Sequence, residues 1–209
     1  MQTTKLLFAA FALAAAACEP GPTSDVDQRS PDGELPTRTR DVPVSKAIDV
    51  TRVVWPERSS IDATTLGRMP EQARTKVGES LVPVMLPRGA GLVEKAVLVV
   101  KPAFTAISMT GEAEHAGLTV SVSATRVSHR YADIPKVEGP SRVRGGKPAF
   151  VTQNEAIWSV TWFEHGISYV VEVECARPGE DARCADDKFV MSLVEDLTFV
   201  GGAFEGGAK

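Results

Sequence analysis

The stretch WSVTWFEHGISYVVEV, running from Trp158 to Val173, decides the fold. At its centre His165-Gly166 forms a two-residue turn, in which Gly166 takes positive φ freely and His165 has to accept it. Such a turn pairs Glu164 with Ile167, and the register then counts outward. Trp162 faces Tyr169, Val160 faces Val171 and Trp158 faces Val173 on one side of the sheet, while Phe163 faces Ser168, Thr161 faces Val170 and Ser159 faces Glu172 on the other. The first side is aromatic and β-branched, which makes it the expected core face. A ligand groove lined by the two tryptophans is the alternative. The same register sets Cys175 opposite Ala156 at the open end of the hairpin.

Downstream of the hairpin, Cys175 and Cys184 enclose a loop from Ala176 to Arg183 that contains Pro178, Gly179 and Asp181, residues that let a backbone reverse. The pair is an expected disulfide, and closing so short a loop stabilises by about 2 to 3 kcal/mol in the chain-entropy picture. A redox or metal role for the two cysteines lacks C-x-x-C spacing and a histidine nearby in sequence. Asp186 or Asp187 then caps a helix whose apolar positions Phe189, Val190, Leu193, Val194 and Leu197 recur at three- and four-residue intervals, so the helix lies across the sheet. A last short strand is expected over Thr198 to Val200.

Upstream, strand patterns dominate. Leu118, Val120, Val122 and Ala124 alternate with Thr119, Ser121, Ser123 and Thr125 in a run from Leu118 to Val127, the period-two pattern of a half-buried antiparallel strand. Its hydroxyl face is the expected solvent face. Val97 to Val100 and the alternating Phe104 to Met109 supply two more strands, and Leu81 to Leu86 reads as an edge strand or extended cover because it contains Pro83. Between Ser59 and Val77 one or two short helices are expected, the first opened by a capping box of Ser59 and Asp62, the second by Pro70. The fold class is α+β: an antiparallel sheet packed against a C-terminal helix, with one disulfide.

The N-terminus has a different character. Lys5 precedes an apolar run from Leu6 to Ala17 of about a dozen residues, shorter than the roughly 18 to 20 that cross a bilayer, and small residues lead into Cys18. This resembles a bacterial lipoprotein signal, with Ala15 at a position the family usually fills with leucine. The resemblance implies a signal peptide over 1–17 and a lipid anchor at Cys18, the first residue of the mature chain. It also implies, with Glu19 rather than Asp after the cysteine, sorting to the outer membrane. Cleavage after an A-x-A site is the alternative. Residues 18–47 are rich in Pro, Ser, Thr and Asp and read as a disordered tether, a spacer on the order of 30 Å. The remaining 48–209 form a single globular α+β domain that opens on the apolar cluster Val50, Val53, Val54 and Trp55. From Val143 to Val200, the tryptophan-bearing hairpin followed by an amphipathic helix is similar to the C-terminal part of envelope-stress regulators of the RseB and MucB kind.

No motif announces a chemistry. G-x-S-x-G, H-E-x-x-H, a Walker loop, G-x-G-x-x-G after a strand and S-x-x-K are all missing from the sequence. Of the three histidines His165 sits in a turn, His129 near a strand end and His115 in the polar turn from Gly111, where a carboxylate and histidine metal site is conceivable; no catalytic residue, metal ligand or cofactor is expected. The formal charge of −4 becomes −5 once Lys5 leaves with the signal, which disfavours nucleic acid as a partner. Against that balance Arg126, Arg130, Lys136, Arg142, Arg144 and Lys147 share a stretch whose acids are Asp133 and Glu138. This is either a solvated loop or a surface for lipid headgroups, another anionic ligand or an acidic envelope protein. Arg126, Arg130, Arg142, Arg144 and Lys147 are the candidate binding residues, with Arg142 and Arg144 foremost because flexible Gly145-Gly146 adjoins them. The leading expectation is a tethered, non-catalytic binding or regulatory module of the envelope, held to a membrane through its lipid. An immunity-like inhibitor of a periplasmic toxin or wall hydrolase, inserting the Glu138 to Pro148 loop into its target, and a hydrolase with an unrecognised site are the alternatives.

Overall fold

A computed structural model describes residues 46–131 and 135–204. The expected signal peptide over 1–17, the expected lipid anchor Cys18 and the expected tether as far as residue 45 lie outside the described residues. In chain order the elements are β1 (Lys46–Val50), α1 (Ala63–Arg68), α2 (Glu71–Val77), β2 (Val84–Pro87), β3 (Val97–Lys101), β4 (Phe104–Thr110), β5 (Leu118–Thr125), β6 (Val127–Tyr131), β7 (Ser141–Val143), β8 (Lys147–Asn154), β9 (Ile157–Glu164), β10 (Ile167–Cys175), α3 (Lys188–Glu195) and β11 (Leu197–Gly201). Seven strands form the main antiparallel sheet in the order β3-β4-β5-β10-β9-β8-β7, while β1 pairs with β6 and β11 pairs with β2 in two small sheets. The chain is therefore α+β, with α3 packed on β9 and β10 as its apolar stripe requires.

The hairpin has the expected register throughout, from Glu164 opposite Ile167 to Trp158 opposite Val173. His165 and Gly166 take φ of 56° and 78°, the left-handed pair that a two-residue turn needs. Beyond Val173 the pairing with β9 ends, and Cys175 is registered against Leu118 of β5 instead of Ala156. One face of the sheet is core: Met109, Val120, Val160, Trp162, Tyr169 and Val171 are buried beneath α3, β2 and β11. The β2 run is buried along its whole length, with Pro83 just ahead of the strand. The other face carries the hydroxyls of β5 together with Phe104, Phe150 and Phe163, which are exposed.

Local chemistry explains where the elements depart from expectation. The first helix starts later than a Ser59 capping box implies, because Asp62 is itself the cap and accepts from the Thr65 N–H at 2.9 Å. Asp187 occupies the cap position of α3, yet Asp186 makes the bond, accepting from the Lys188 N–H at 3.0 Å. The long strand from Leu118 breaks at Arg126, whose N–H donates to Ala103 O, and its continuation β6 leaves the main sheet to pair with β1. Residues 138–148 are not loop throughout: β7 and β8 form a hairpin closed by Arg144, Gly145 and Gly146, all at positive φ. Cys175 and Cys184 are bonded, with Cα atoms 6.2 Å apart, and the Trp158 indole donates to Cys184 O at 3.0 Å.

Candidate functional site

Charged side chains converge at the end of the sheet where the β9–β10 and β7–β8 turns lie side by side. Glu164 is on the core parity of β9, two residues after Trp162, and is 8% exposed. Its Oε2 accepts from Arg144 Nε at 2.6 Å and from Trp162 Nε1 at 3.0 Å, while Oε1 lies 3.3 Å from Lys147 Nζ and 3.5 Å from His165 Nε2. Arg144 also donates through Nη1 to Val194 O at 3.2 Å and Leu197 O at 2.8 Å, carbonyls at the end of α3 and the start of β11. A cation there suits the negative end of the helix. The Arg144 N–H donates to Glu195 Oε1, and Lys147 Nζ to Arg144 O. Two turns, α3 and β11 are thereby fastened to one carboxylate.

The electrostatics follow from burial and pairing. Burial opposes ionisation of Glu164, but the hydrogen bonds from Arg144 and Trp162 and the charges of Arg144 and Lys147 outweigh it and hold the carboxyl below its ordinary range. Burial pulls His165 down despite the attraction of Glu164, with Arg144 and Lys147 pushing the same way, so the imidazole is neutral at neutral pH. Tyr169, stacked on Trp162 with ring centroids 5.3 Å apart, donates to Pro83 O at 3.0 Å, and burial drives its hydroxyl far above the ordinary phenol range. A strap of chain closes the turn from outside. Thr51 N–H donates to Arg126 O, Thr51 Oγ1 bridges toward Gly166 O, and Val54 N–H donates to His165 O.

This cluster divides the basic stretch. Arg144 and Lys147 turn inward and are occupied by Glu164 and by backbone carbonyls, because the tight β7–β8 turn aims them at the buried carboxylate. Arg142 stays exposed, with Nη1 donating to Gly139 O and Ser141 O. Arg126 stands at the bend between β5 and β6, and Arg130 lies in β6 opposite Ala47. Arg142 and Arg144 are thus not a joint, freely reaching pair beside a flexible glycine linker. The tip of the 138–148 segment is likewise tied to α3.

A second polar corner surrounds the disulfide, where an open cleft of about 350 Å³ is lined by Ala116, Gly117, Ala176, Arg177, Glu180 and Arg183. Arg183 is committed to Glu114 O at 2.6 Å, Ala116 O at 2.9 Å and the Asp181 carboxylate. That pairing holds the Asp181 carboxyl at about 2. His115 lies against Phe189 and 3.7 Å from Glu114. Among the described residues no three of His, Cys, Asp and Glu gather as a metal site would require.

Glu164 is the residue that motif reasoning passes over. Its signal was parity: counting out from the turn places a carboxylate on the face of Trp158, Val160 and Trp162, and a buried carboxylate needs a cation. Compared with protein-family models, with curated proteins and with solved structures, the chain matches none.

Proposed function

We propose that the chain is a non-catalytic lipoprotein of the bacterial cell envelope: a folded recognition domain that begins at β1, two residues earlier than the sequence suggests, on a tether of residues 19–45, anchored through lipid on Cys18 at the periplasmic face of the outer membrane. The observation that carries this reading is the cysteine pattern. Cys175 and Cys184 are bonded to each other, which belongs to an oxidising compartment. Cys18 is left over, and it sits where an apolar run ends in alanines. Recognition is favoured over catalysis because the groups that converge on Glu164 are paired with one another and serve to hold turns and helix in place. The partner fitting this reading is an envelope protein or an anionic surface.

The test is the mass of the N-terminal peptide from the membrane-extracted protein, beside a Cys18→Ala chain. Di- or triacylation at Cys18, lost together with membrane retention on substitution, supports the reading. An unmodified N-terminus in the soluble fraction overturns the anchor and leaves a diffusing exported protein.

A further inference from the structure

Exposure alternates along residues 48–54 in the reverse of the usual sense. Ile48, Val50 and Val54 are 64%, 57% and 62% exposed, with Arg52 exposed among them, while Asp49, Thr51, Val53 and Trp55 are half-buried. A strand with one wet face ordinarily turns its polar residues outward. Val50 and Val54, expected from sequence to open the core, are therefore surface residues, and only Val53 and Trp55 of that cluster pack on the core. β1 and β6 make a ribbon of two strands, and an isolated two-stranded ribbon is marginal in water unless something covers its apolar side.

Charge indicates what that cover is. Arg52 stands within the exposed stripe, between Val50 and Val54, whereas Asp49, the acid of β1, is half-buried on the opposite parity, in a chain whose formal charge is −4. Aliphatic side chains interleaved with arginine, on an otherwise acidic protein, match the headgroup region of an anionic bilayer, which takes apolar groups at the acyl boundary and holds cations above it. The stripe also lies at the point where the chain from Cys18 enters the fold. We infer that residues Ile48 to Val54 dock the domain on an anionic lipid surface, Ile48, Val50 and Val54 entering the interface and Arg52 pairing with headgroups. This rests on the envelope reading above and adds to it a second, reversible attachment made by the domain itself.

The test is amide hydrogen exchange of the full chain, as cells process it, on vesicles of phosphatidylcholine with and without phosphatidylglycerol. Segment 46–55 is expected to exchange about tenfold more slowly on the anionic vesicles. Raising salt reverses the effect. The chain carrying Ile48→Asp and Val50→Asp loses it while its β9–β10 hairpin exchanges as before, which shows that the variant is folded. Equal exchange on both vesicle types, or slowing that persists in the variant, overturns the docking. So does slowing that grows with protein concentration without lipid, since the cover is then a second copy. The mass of the N-terminus reads the anchor separately: an acylated chain with an unprotected stripe keeps the anchor and refutes the docking, whereas an unmodified chain that gains protection does the opposite.

Discussion

Replacing Arg144 by methionine removes the shortest bond to Glu164 and keeps most of the side-chain volume. Arg144 and Glu164 are 15% and 8% exposed in their side chains, so water cannot readily replace the guanidinium. Removing one partner of a buried ion pair costs about 3 to 5 kcal/mol. Lys147, at 3.3 Å, still faces the carboxylate, which places the expected loss near the lower end, about 3 kcal/mol. For a domain of about 160 residues this lowers Tm by roughly 6 to 12 °C.

The pH dependence supplies the sharper check. In the parent chain Glu164 is held below its ordinary range, so its contribution is complete above the unfolded carboxylate pKa of about 4.3 and is lost as pH falls through the lower folded value. Without Arg144, burial is opposed only by Trp162 and Lys147 and prevails. The folded pKa then rises above the unfolded one, and the variant gains stability as pH falls from neutral through that raised value. The gap between the two proteins therefore narrows on acidification. Urea unfolding followed by far-UV circular dichroism, without reductant, at about pH 7 and about pH 4 measures it. A neutral-pH gap under about 1 kcal/mol, or one that widens in acid, refutes the assignment of Arg144 and Glu164 as a buried pair.

Three further outcomes follow from the geometry. Cys175→Ala with Cys184→Ala lowers stability by about 2 to 3 kcal/mol, and reductant reproduces that drop in the parent chain but not in the variant; urea midpoints with and without dithiothreitol decide it. Gly166→Ala costs more than about 2 kcal/mol, because φ is +78° and a Cβ there stands 2.1 Å from Arg52 O, so the strap must lift; the sign is faster exchange at the Val54 amide along with a lower Tm. The carboxyl carbon of Asp181 titrates in NMR at about 2, and Arg183→Ala raises that midpoint toward the ordinary aspartate range, since hydrogen bonds from Arg183 are the main cause of the shift.

Much of the fold was legible because hairpin chemistry is local. His165-Gly166 dictates the turn, the turn dictates the register, and period-two arithmetic then sorts Trp162, Tyr169 and Val171 onto the core face. The disulfide and α3 were legible for similar reasons, a short turn-rich loop and a stripe at helical spacing. What could not be read depends on contacts distant in sequence. Arg144 looked mobile beside two glycines because its partners lie in β9, α3 and β11, as many as 53 positions away. Val50 and Val54 looked like core because hydrophobicity states a preference and not a direction. The break at Arg126 arises from a bond to Ala103 and a strand, β1, that precedes β6 by some eighty positions in the chain.

The strap over the β9–β10 turn has a mechanical consequence. β1 runs antiparallel to β6, with Lys46 opposite Tyr131 at one end and Val50 opposite Val127 at the end nearest the main sheet. A tug on the chain at Lys46 pulls β1 along its own length, so the ladder bonds to β6 are loaded together in shear instead of being unzipped singly. Behind them stand the anchor points of Thr51 on Arg126 and of Val54 on His165. Tension applied at that end is spread over the ribbon and strap before it reaches the hairpin, so the folded body is shielded from a pull on the chain that precedes it.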